Sequence, residues 1–117
     1  MVNELVLIEN FKSLVRRAMS DAIHAHNFIF DNDTDPLIAT SYLNIAASKF
    51  AAAESLYYSQ LEFLERSEAE EIFRLFDVFM TEFLNNVRAN HSHQWTDIEF
   101  QKLKEAFDYS AFAFENH

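Results

Sequence analysis

The chain has no glycine, no cysteine and a single proline, Pro36, among its 117 residues. Tight hairpins, β-bulges, dinucleotide-binding turns and phosphate-cradling loops all rely on glycine, so its absence argues against sheets, nucleotide folds and P-loops together. The fold class that remains is all-α. Without cysteine there is no disulfide framework and no thiolate chemistry, which fits a reducing compartment, and the expected location is cytoplasmic. Basic residues are scarce as well: 9 Lys and Arg stand against 19 Asp and Glu, a net charge of −10. A field of that sign repels phosphate backbones and makes nucleic acid an unfavoured partner. Long apolar runs are also missing, since none approaches the ~18 residues of a membrane span. Met1–Ile8 carries Glu4 and lacks the basic-then-apolar pattern of a secretory leader. A soluble protein with no membrane association is the expectation.

What is present is bulk. Half of the residues are hydrophobic and thirteen are Phe, enough for a core without disulfides or metals in a single domain spanning 1–117. The periodicity predicts an antiparallel four-helix bundle with helices over 4–29, 36–64, 68–90 and 97–114. Asn3 is a good N-cap for the first, and Ile8, Phe11, Val15, Ala18, Ala22, Ala25 and Ile29 repeat in 3-4 steps as one seam. Asp35 followed by Pro36 is a cap with proline at the first helical position, which opens the second helix. Its seam is Leu43, Ala46, Phe50, Ala53, Tyr57, Leu61 and Leu64, and a run of alanines thins its middle so that Phe from a neighbour can fill the space. Ser67 with Glu70, and Thr96 with Glu99, are capping-box patterns for the third and fourth helices. The fourth has the seam Phe100, Leu103, Phe107, Ala111 and Phe114. Short links make successive helices antiparallel neighbours.

The third helix carries apolar residues nearly all round. Phe76, Phe79 and Phe83 make one seam, while Phe73, Met80, Leu84 and Val87 make another. A helix with two such faces needs cover on both, so the second seam, extended by Trp95 and by Tyr109 and Phe112, is the expected interface with a partner or a second copy. On this reading the protein is non-enzymatic and acts through protein–protein contacts, as a homodimer and as a small acidic regulator or inhibitor of a basic partner. No cofactor is expected.

Other chemistry is thin. Asp31, Asp33 and Asp35 have the spacing of the first three ligands of a calcium loop, but Pro36 stands where such a loop needs Gly and Tyr42 where it needs a bidentate Glu. They read as an acidic turn capping a helix. His91, His93 and Asp97 are the one set that could chelate a metal, short of the four ligands that a structural zinc site normally uses. His24 and His26 fall on different faces of a helix and read as surface residues. No Glu-x-x-His of the di-metal bundles and no Gly-x-Ser-x-Gly occurs.

The segment Val87–Trp95 is the most chemically loaded. Arg88, four intervening residues and His93 resemble the Arg-x4–6-His pattern of the HEPN superfamily of helical-bundle proteins, and Asn90 and the junction before a last helix are similar as well. The resemblance implies a ribonuclease or toxin in which His93 is an acid/base or phosphate-contacting group, Arg88 stabilises phosphate charge and Asn90 supports them, in the cleft of a dimer. Ala89 departs from the polar residue that the family usually has after the Arg. The pattern is matched a second time by Arg17 and His24, which are separated by six residues. This is the alternative to the contact-protein reading.

Overall fold

The computed structural model describes residues 3–30, 35–89 and 93–114, excluding the side chains of Phe30, Ala89 and His93. Among the described residues five helices follow in order: α1 Glu4–Phe30, α2 Pro36–Ser59, α3 Leu61–Leu64, α4 Ser67–Ala89 and α5 His93–Asp108. Among the described residues there is no strand.

The starts of the first two helices obey their caps. Asn3 Oδ1 accepts from the backbone N–H of Leu5 at 3.0 Å. Asp35, extended at φ −135°, accepts from the N–H of Ile38 at 3.1 Å, with Pro36 inside the first turn. Each cap satisfies an amide that the helix start would leave unbonded.

Pairings across the helices show that α1, α2, α4 and α5 run up, down, up and down. Lys49 of α2 meets Asp21 of α1, whereas Tyr57, farther along α2, meets Phe11, which is earlier in α1. In the same opposed sense, α2 meets α4 through Phe50 on Phe76 and Tyr57 on Phe73. Helix α1 meets the last part of the chain through His26 with Phe100 and Arg16 with Phe112. Helices α1 and α2 make the closest pair. Ala18, Ala22 and Ala25 of α1 and Ala39, Ala46 and Ala53 of α2 are all completely buried, and side chains this small let two helix axes approach. The other half of the core is aromatic. Phe11 is its hub, with ring centroids 5.7 Å from Tyr57, 6.3 Å from Phe73 and 5.5 Å from Phe112, the last two edge-on. Edge-on packing adds to the ~1.5–3 kcal/mol that burying each such ring contributes.

Three boundaries differ from the periodic reading. The second helix was expected to run to 64, but Gln60 leaves helical geometry at φ −127°, ψ 37°, and the chain resumes as the single turn α3. The Ser59 hydroxyl donates to Leu56 O, a local bond that competes with the helical ladder. Leu64 is still delivered to the core, while Leu61 remains exposed. The last helix starts at His93, four residues before the expected position, so Thr96 is a fully buried helical residue and not a cap. Helix α5 also stops at Asp108, six residues early. Ser110 takes Phe107 O through its hydroxyl at 2.6 Å and accepts the N–H of Phe112 at 3.1 Å, turning the chain back. Past that turn the 3.6 period no longer applies, and Phe112 is buried in place of Ala111 and Phe114. The capping box expected of Ser67 and Glu70 is replaced by a tertiary bond, with Glu70 Oε2 accepting the Tyr57 hydroxyl at 2.7 Å.

Candidate protein-contact surface

The two apolar seams on α4 are the place to begin. Phe76, Phe79 and Phe83 are buried as expected. Phe73 is buried too, edge-on to Phe11, Phe50 and Tyr57, and Met80 and Leu84 are half-buried against the same core. The expected second seam therefore does not lie open as a surface. Phe11, Phe50, Tyr57 and Phe100 pack against the Phe side chains of α4, so the bundle covers them from within. Val87, 39% exposed, and Trp95, 60% exposed, remain outside. Of the two residues read as extending that patch, Tyr109 is exposed and Phe112 is in the core.

What α4 turns outward is charge: Glu70, Glu71, Arg74, Asp77 and Arg88. Glu71 is held below the usual carboxylate range, chiefly by its hydrogen bonds from Arg74. Helix α5 likewise exposes Gln101, Lys102, Glu105 and Asp108.

Helix α2 differs. Its 24 residues contain two charges, Lys49 and Glu54, and both are half-buried at its flanks. Lys49 Nζ lies 2.6 Å from Asp21 Oδ2 on α1. The Glu54 carboxyl is pushed up by burial and then by the Asp77 carboxylate on α4, and burial also raises Asp77. The outward line Leu37, Ser41, Ser48, Ala52 and Ser55 is exposed and carries no charge. Leu37 is 79% exposed, Tyr58 57%, Ile45 44% and Ile38 40%. An uncharged helical face about 36 Å long, by the rise of an α-helix, thus lies on a strongly acidic chain. Reading the sequence by its apolar stripes missed this face. The signal that reveals it is the lack of charge at outward positions from Pro36 to Ser59.

The other residues singled out from the sequence are dispersed. Arg88 stands exposed at the end of α4, and His93 is the first residue of α5 with its side chain outside the description. Asn90, His91, Asp31 and Asp33 lie outside the described residues. Asp97 Oδ1 faces His26 Nε2 at 3.0 Å and accepts from Gln101 at 3.3 Å. His26 is no surface residue, since its ring stacks on Phe100 at 3.8 Å with 12° between planes. His24 is exposed beside Tyr42. Among the described residues no group of three His, Cys, Asp or Glu could hold a metal ion, and no helix is long and apolar enough to cross a membrane. The cavity bounded by Ile8, Phe11, Leu64 and Phe112 holds about 60 Å³, while open surface grooves between α4 and α5, lined by Glu71, Arg74, Lys102, Glu105 and Tyr109, and at the end of α5, lined by Lys104, Asp108, Tyr109 and Phe114, offer about 390 and 420 Å³.

No known protein family, curated protein or solved structure matches this chain.

Proposed function

We propose that this is a non-enzymatic, acidic helical-bundle protein that works through contact with protein, and that the outward face of α2 is its contact surface. One observation carries the reading: Leu37, Ile38, Ile45 and Tyr58 are exposed along a helix face that bears no charge, on a chain of net charge −10. Exposed apolar residues scattered singly are ordinary, but four on one helix with no outward charge among them set α2 apart from α4 and α5. The net charge of −10 would then attract a basic partner surface, in a complex that salt weakens.

The test places a photo-reactive benzoylphenylalanine at Ile45, and separately at Gln101 on the charged face of α5, in the cells the protein comes from. Irradiation should give a discrete protein adduct from position 45 well above that from position 101. Equal or absent adducts at position 45 would overturn the reading.

A further inference from the structure

We propose that the cavity between α1, α3 and Phe112 is a binding site for a small aliphatic monocarboxylate, with its alkyl chain on the apolar floor and its carboxylate held by Lys12. The site is separate from the α2 face, since none of its lining residues belongs to that helix.

The division into floor and mouth follows from the chain. Ile8 and Phe11 belong to the inward seam of α1, and Lys12 is next to them on the flank of the same helix. Leu64 ends the single turn α3, and the link to α4 then brings Glu65 and Arg66 to the surface. That link is fixed by the Tyr57 hydroxyl, which accepts from the N–H of Arg66 at 2.9 Å. On the other side the turn at Ser110 carries Phe112 into the core, edge-on to Phe11. Phe11, Leu64 and Phe112 are buried, whereas Glu65 and Arg66 are exposed. An apolar floor thus opens at a charged rim.

Charge selects the ligand. Lys49, Arg66, Arg74, Lys102 and Lys104 each meet a carboxylate. Among the described residues Lys12 and Arg16 have no such partner, although acidic residues outnumber basic ones by 19 to 9. Arg16 donates through Nε to the Phe112 carbonyl at 2.9 Å, which braces the cavity wall and leaves its charge unmatched. Around the cavity Lys12, Arg16 and Arg66 stand against Glu65 and Glu68. One positive charge is left over, which suits a monoanion better than a phosphate dianion. Arg66 is already engaged, with Nη1 on Glu68 at 3.0 Å and Cζ 5.9 Å from the centre of the Phe112 ring. Lys12 is the group that can turn its ammonium to the ligand, in a charge-assisted hydrogen bond.

Volume sets the length of the alkyl chain. The cavity holds about 60 Å³. A water-sized group occupies roughly 10–15 Å³ on that measure, so about four to six carbon atoms fit. Each CH₂ taken out of water should tighten binding roughly fourfold until the floor is full.

The test titrates the isotope-labelled full chain with butanoate, pentanoate, hexanoate and octanoate, read by NMR. The amides of Phe11, Lys12, Arg66 and Phe112 should shift together, with affinity rising to a dissociation constant on the order of 1 mM at hexanoate and levelling beyond it. Hexanol, which keeps the tail and lacks the charge, should bind about tenfold more weakly. Lys12→Met keeps the stem and loses the ammonium, so it should weaken hexanoate by a similar factor and leave hexanol unchanged. No shift at these amides with hexanoate at roughly tenfold its expected dissociation constant would overturn the proposal. Equal binding of hexanol and hexanoate would overturn the role of Lys12, and inorganic phosphate binding as tightly as hexanoate would show that the cavity takes no part.

Discussion

Helices α2 and α4 lie side by side, are nearly the same length, and dispose of their apolar residues in opposite ways. Helix α4 has the bulkier set, with Phe73, Phe76, Phe79 and Phe83 all inside, and charge on its outward face. Helix α2 puts Ala39, Ala46 and Ala53 inside beside Phe50 and Tyr57, and leaves Leu37, Ile45 and Tyr58 outside. The number of apolar residues on a helix thus does not decide whether it has a surface to offer. What decides is the cover its neighbours give: Phe11 of α1, Phe50 and Tyr57 of α2 and Phe100 of α5 pack on the Phe side chains of α4.

The largest effect expected from this contrast is between Phe79→Ala and Ile45→Glu. Phe79 is fully buried against Phe76, Phe83 and Phe100, so truncation should remove about 3–5 kcal/mol and unfold much of the population at ordinary temperatures. Ile45→Glu, on the open face of α2, should change the stability of the isolated fold by no more than about 0.5 kcal/mol. Urea unfolding of both variants at low protein concentration checks this. A large loss from Ile45→Glu would mean that the α2 face is part of the core.

Next in size is Ala46→Leu, which adds volume at a fully buried position of α2. Overpacking there should cost about 1–3 kcal/mol, while Ala52→Leu on the outward face should cost next to nothing. Equal melting temperatures for the two variants would show that the alanines do not set the helix spacing.

Much of this was legible in the sequence, and the physical reason is periodicity. The α1 seam from Ile8 to Ile29 is buried at every position named for it except Ile8, which is half-buried, and the Asp35–Pro36 cap starts α2 as read. Legibility ends where a side chain takes over a backbone role, as Ser110 does after α5 and Ser59 does before Gln60. The candidate site was legible only in part. Wide apolar coverage of α4 was visible, but whether it is hidden depends on side chains far off in the chain, such as Phe11 and Phe50, which meet Phe73. Thr96 shows the same limit. It looks like a cap, yet its hydroxyl accepts from Asn86 Nδ2 at 3.2 Å and donates to Glu82 O at 3.3 Å inside the α4–α5 contact.

A smaller effect sits at the joint between α2 and α4. The Tyr57 hydroxyl donates to Glu70 Oε2 and accepts from the N–H of Arg66 at 2.9 Å, tying the end of α2 to the start of α4. Tyr57→Phe should cost about 1 kcal/mol, with the N–H of Arg66 left unbonded. Burial is the main cause that raises the Tyr57 pKa above its ordinary value near 10, so its contribution to stability is complete below that pH and is lost as pH rises through the raised value. Wild-type protein should therefore weaken more than Tyr57→Phe above pH 10. Parallel stability curves for the two would show that the phenol ionises freely in the fold.

The smallest effect comes from the two carboxyls at the α2–α4 boundary, and it has a definite sign. Burial raises both Glu54 and Asp77, and the Asp77 charge adds to the rise at Glu54. A folded pKa above the unfolded one gives stability that is complete below the ordinary carboxylate range, near pH 4, and is lost as pH rises through the raised values. Arg74 works in the opposite direction on Glu71, whose stabilisation is present above the ordinary range and fades on acidification. The readout is therefore the difference between variant and wild type across pH. Asp77→Asn should be more stable than wild type at pH 7 by less than about 1 kcal/mol, since Asp77 is solvent-exposed and screened, and the advantage should vanish toward pH 4. An advantage that grew on acidification would mean that Asp77 is held ionised by a cation, and the flank of α2 would then be stabilised by charge and not strained by it.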